Sequence, residues 1–84
     1  MSDRSQVAAR VRAVLAEVLG LPPAEIGPEV SVDTSGAWTS LNHLMLVSQL
    51  ENEFGLVFTN REIKDLTSLP AILEILTRRL DSVA

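Results

Sequence analysis

Ser40 is the side chain whose setting points to chemistry. It follows Thr39, a residue type whose hydroxyl oxygen can accept a free backbone N–H of a first helical turn. Apolar residues then recur at Leu41, Leu44, Val47, Leu50 and Phe54, a helical spacing. It stops at Gly55, which enters a left-handed conformation at little cost. Ser40 therefore falls in the first turn, where free N–H groups and the positive end of the helix dipole stabilise an anion. The position does not make Ser40 a nucleophile, but it favours a phosphate ester. His43 is the only histidine and there is no cysteine. That excludes a disulfide, a thiolate or multi-histidine metal site and a Cys–His pair, and with no clustered carboxylates it leaves a small enzyme little to work with.

Charge narrows the partners. No Lys or Arg stands between Arg12 and Arg61, while Glu17, Glu25, Glu29, Asp33, Glu51 and Glu53 do, within a net charge of −4. An acidic centre argues against nucleic acid, which needs a basic face. It suits either plain solvation or a basic protein partner. Hydrophobic residues make up 46% of the 84, enough for a core in one domain spanning residues 1–84. No apolar run approaches a membrane span, and the first residues lack a signal peptide's apolar segment, so a cytoplasmic chain is expected.

The elements that must position Ser40 follow from periodicity. Val7, Val11, Val14, Leu15, Val18 and Leu19 form the stripe of a first helix, capped by Ser2 or Ser5 and ended by Gly20, with Pro22 and Pro23 beyond. Residues 21–38 hold three prolines and two glycines without periodicity. This connection is long for a compact domain, and Ile26, Val30 and Val32 are the expected pins to the core. Trp38 either packs that loop onto the helices or lies beside whatever Ser40 carries. His43 is expected on the side of the helix away from the apolar stripe, either solvated or touching a partner. After the extended Leu56-Val57-Phe58, Thr59 or Asn60 caps a short helix containing Ile63. Thr67 is expected to cap the last helix, with Pro70 tolerated in its first turn. Leu69, Ile72, Leu73, Leu76 and Leu80 form its stripe, and Arg78 and Arg79 favour its dipole. The tail from Asp81 is expected to fray.

A Ser-Leu pair opening a helix, the Leu/Val stripe behind it and the ending Glu51-Asn52-Glu53-Phe54-Gly55 resemble the acyl carrier and peptidyl carrier proteins. The helix order extends the resemblance over essentially the whole chain. It implies an all-α, four-helix acyl-carrier-like bundle, with a long loop between the first two helices and a short third helix. It also implies a non-catalytic monomer that carries phosphopantetheine on Ser40 and holds acyl or aminoacyl groups as thioesters. The partners so implied are a phosphopantetheinyl transferase, an acyl or aminoacyl loading ligase and an acyltransferase or synthase. Trp38, Thr39, Leu41, Asn42, His43, Met45, Glu51 and Glu53 are the residues expected to face them. Thr67-Ser68-Leu69 repeats the Thr39-Ser40-Leu41 tripeptide, and only context separates the two. Two departures stand out. Thr39 replaces the family's usual Asp, and Asn42, His43 and Met45 stand where acids are common. These point to a specialised carrier in a dedicated pathway, or to an unmodified carrier-like interaction module.

Overall fold

The computed structural model describes residues 4–81 and is all-helical in its named elements. Helix α1 spans Arg4–Leu19, α2 Ser40–Phe54, α3 Asn60–Asp65 and α4 Leu69–Asp81, with one 3-10 turn at Pro23–Glu25. Ser2 and the end of the tail lie outside the described residues, and Ser5 lies inside α1 rather than ahead of it. None of these helices is long and apolar enough to cross a membrane.

One core joins the elements. Val11, Val14, Leu15, Val18 and Leu19 of α1 meet Leu46, Val47 and Leu50 of α2 and Leu69, Ile72, Ile75 and Leu76 of α4. The buried Ala16 and Ile75 fall outside the stripes that spacing predicts. Gly20 ends α1 at φ 70°, where Leu21 N–H closes onto Ala16 O at 3.0 Å. The positive φ is the reason a glycine suits that position.

The long loop is pinned at Ile26 and Val30, both buried, but not at Val32, which is 38% exposed. A tight turn accounts for the difference. Ser31 pairs with Ser68 as an isolated bridge, and Thr34 and Ser35 N–H both return to Ser31 O, at 3.2 and 3.0 Å. Val32 sits in that turn and is carried off the core. Ser68, not Thr67, caps α4, its Oγ accepting Ala71 N–H at 3.2 Å.

The face that α2 buries also differs from expectation. Leu50 is fully buried, but Leu41 is 68% and Leu44 62% exposed. A helix turns about 100° per residue, so steps of three each lag by about 60°. Over nine residues that lag puts Leu41 opposite Leu50. The inward stripe is His43, Leu46, Val47, Leu50 and Phe54.

Helix α3 is held at its start from two directions. Thr59 and Glu62 form a capping box, with Thr59 N–H donating to Glu62 Oε1 at 2.9 Å and Glu62 N–H to Thr59 Oγ1 at 3.1 Å. Arg79 reaches over from α4 to donate to the same Glu62 oxygen and to Val57 O. It thus braces α3, a role beyond the dipole of its own helix. The Thr59 backbone bond, with help from Arg79 and against desolvation, holds the Glu62 carboxyl below its usual 4.5. A carboxylate lowered on folding stabilises above its unfolded value and loses that contribution as pH falls through the folded one. Melting temperature should therefore fall as pH drops below about 4.5, and Glu62→Gln should flatten that fall in a pH series of thermal melts. A variant with the parent's slope would assign the acid sensitivity to other carboxylates.

Candidate functional site at the start of helix α2

Thr39 is extended at φ −83°, ψ 171°, and its hydroxyl accepts Asn42 N–H at 3.2 Å. The cap fixes where α2 begins and so makes Ser40 its first residue. The Ser40 side chain is exposed, and its hydroxyl has no hydrogen-bond partner among the described residues. Ser68, in the repeated tripeptide, is the opposite case: it is half-buried, with its hydroxyl engaged as a cap and its backbone in the bridge to Ser31. Of the two serines, only Ser40 presents a free hydroxyl to a reagent.

Three of the expected contact residues turn inward. Trp38 is 5% exposed, and its indole N–H donates to His43 Nδ1 at 3.0 Å. His43 Nε2 lies 2.7 Å from Ile63 O. A carbonyl only accepts and an indole N–H only donates, so the ring is the neutral Nε2–H tautomer. His43 is therefore a half-buried strut between the loop end and α3, neither solvated nor on an outer face. Asn42 is half-buried and donates from Nδ2 to Ala37 O at 2.7 Å. Asn42→Asp removes that donor and sets a carboxylate against a carbonyl. We expect a loss of about 1–2 kcal/mol in denaturant unfolding, after a small gain from the helix dipole. An unchanged midpoint would mean that the bond contributes nothing.

The two acids are also engaged. Glu51 Oε2 accepts Phe58 N–H at 2.9 Å, tying the end of α2 to the strand-like piece before α3. Glu53 pairs with Arg10 of α1 at 3.1 Å. What remains outward beside Ser40 is Thr39, Leu41 and Met45, joined by Leu44. Leu44 shares the apolar spacing of the sequence, but its helical-wheel angle of about 120° from Leu50 carries it off the buried face.

An open groove of about 460 Å³ runs beside Ser40, bordered by Val32, Thr39, Leu44, Lys64 and Thr67, with Trp38 and His43 also lining it. Lys64 is exposed, and among the described residues it forms no ion pair. A larger hollow of about 680 Å³ lies between α1 and α4 and is not lined by Ser40, so size does not mark the site. No three His, Cys, Asp or Glu side chains gather into a metal-binding group among the described residues.

The chain matches the phosphopantetheine attachment site family over residues 9–76. It is 32% identical over 82 residues to an acyl carrier protein of Saccharopolyspora erythraea, covering 98% of this chain and 83% of that one. It is 26% identical over 78 residues to an acyl carrier protein of Thermosynechococcus vestitus, covering 93% and 96%.

Proposed function

Because this chain belongs to the acyl carrier family, whose members bear covalently attached phosphopantetheine, we propose that Ser40 is the attachment residue and that the chain delivers acyl or aminoacyl thioesters to the enzymes of a dedicated pathway. The observation that supports Ser40 most directly is its exposed, unengaged hydroxyl at the first position of α2, against the engaged hydroxyl of Ser68. The site fits the group. The hydroxyl is open to a transferase, and the start of α2 stabilises a phosphodiester's negative charge. Lys64, lining the same groove, supplies a cation nearby.

When attached, phosphopantetheine supplies a thiol that holds the cargo as a thioester. This chain's own residues hold the acceptor. Thr39 fixes the helix start, Asn42 ties the loop to the first turn, and the groove leaves the hydroxyl accessible. Catalytic groups for attachment come from the transferase. The carrier's contribution to later steps is effective concentration, set by the length of the tether. The exposed Leu41, Leu44 and Met45 form the contact surface for the transferase, loading ligase and acyltransferase or synthase. Met45 suits it to several partners, because its side chain repacks easily.

The test is intact mass and peptide mapping after incubation with coenzyme A and phosphopantetheinyl transferases of differing specificity. One phosphopantetheine on the Ser40 peptide is expected. An unmodified chain with every transferase would favour an interaction module, the reading that Thr39 in place of Asp supports. Modification at Ser68 would move the site.

A further inference from the structure

Among the described residues, α2 and α3 are joined by a single hydrogen bond, from His43 Nε2 to Ile63 O. The other ring nitrogen accepts the indole N–H of Trp38, two residues ahead of Ser40. We propose that His43 is a positioning residue for Ser40, and that its neutral Nε2–H ring sets the first turn of α2 against both the loop end and α3. The proposal rests on the reading of Ser40 as the modified serine.

Three features carry it. The ring is three residues beyond Ser40, one helical turn along, so a shift of the ring moves the acceptor hydroxyl with it. Both of its partners depend on it. The indole N–H is on a residue only 5% exposed, and Ile63 O belongs to the last turn of α3, where carbonyls lack intrahelical partners. Among the described residues, the one other donor to that carbonyl is Leu66 N–H, at a long 3.4 Å. The ring also lines the groove that borders Ser40, together with Lys64 of α3. Spacing between α2 and α3 is therefore the width of that groove, and His43 holds it.

The required chemistry is one acceptor and one donor on a side chain that spans two elements. Leucine fills space but offers neither. Glutamine offers both. The parent, His43→Leu and His43→Gln are compared in three measurements. Long-range proton–nitrogen spectra of the unmodified parent at neutral pH should show the Nε2–H tautomer. Trp38 emission should move to longer wavelength in His43→Leu and return towards the parent in His43→Gln. Loading of the whole chain by a phosphopantetheinyl transferase should show a protein KM raised roughly tenfold in His43→Leu, with kcat within about twofold and partial recovery in His43→Gln.

An Nδ1–H tautomer, or a ring averaging between tautomers, overturns the proposal. Parent-like loading in His43→Leu overturns it too, as does a glutamine variant no better than leucine. If His43→Leu fails to fold, the parent spectra and the glutamine variant still decide. A parent chain that no transferase loads overturns the Ser40 reading, and the positioning role with it. Its tautomer and indole signals, read on unmodified protein, would still report whether the contact exists.

Discussion

Ser40→Ala should abolish attachment of phosphopantetheine and every transfer that depends on it, while unfolding within about 0.5 kcal/mol of the parent. On the proposed assignment the loss is complete, because the Ser40 hydroxyl oxygen would be the atom esterified and alanine offers none in its place. The fold is spared because the side chain is exposed and has no hydrogen-bond partner among the described residues, and alanine is a better helix former than serine. Ser68→Ala is the matched control with the opposite profile. It removes the acceptor of Ala71 N–H and should cost about 1 kcal/mol, yet leave attachment intact. Intact mass reads the first property and denaturant unfolding the second. Attachment surviving in Ser40→Ala, or a large loss of stability there, would contradict the assignment.

Leu50→Ala should destabilise by about 2–5 kcal/mol, whereas Leu44→Ala should change stability by less than about 0.5 kcal/mol. Leu50 is fully buried in the shared core, so truncation leaves a cavity in a small domain. Against a total of roughly 5–15 kcal/mol for a domain, that is a large share. Leu44 is 62% exposed and leaves no void. Its loss should instead slow transfer with partner enzymes, because it removes apolar contact area beside Ser40. Urea midpoints for the two variants, with transfer rates for Leu44→Ala, separate the roles. Equal midpoints would mean that α2 is rotated from the orientation described.

The sequence by itself determined the helices, their order and the place where α2 begins. These depend on local signals: Thr39, Thr59 and Gly55 act on the nearest backbone, and the stripes of α1 and α4 are regular enough to mark a face. Ser40 was legible for the same reason, since a cap and a helix start together define an exposed first-turn hydroxyl. The tertiary structure decided which side of α2 is buried, because Leu41, Leu44, Leu46 and Leu50 give apolar residues to both faces and only the neighbouring helices select one. It also decided the fate of the polar residues near Ser40. His43 looked solvated because its partners, Trp38 and Ile63, reach it only after the loop and α3 fold back. Asn42, Glu51 and Glu53 looked free for partners, yet each finds an internal one. Side-chain hydrogen bonds and ion pairs between different elements leave no periodic trace, so packing alone separates a contact surface from a set of struts.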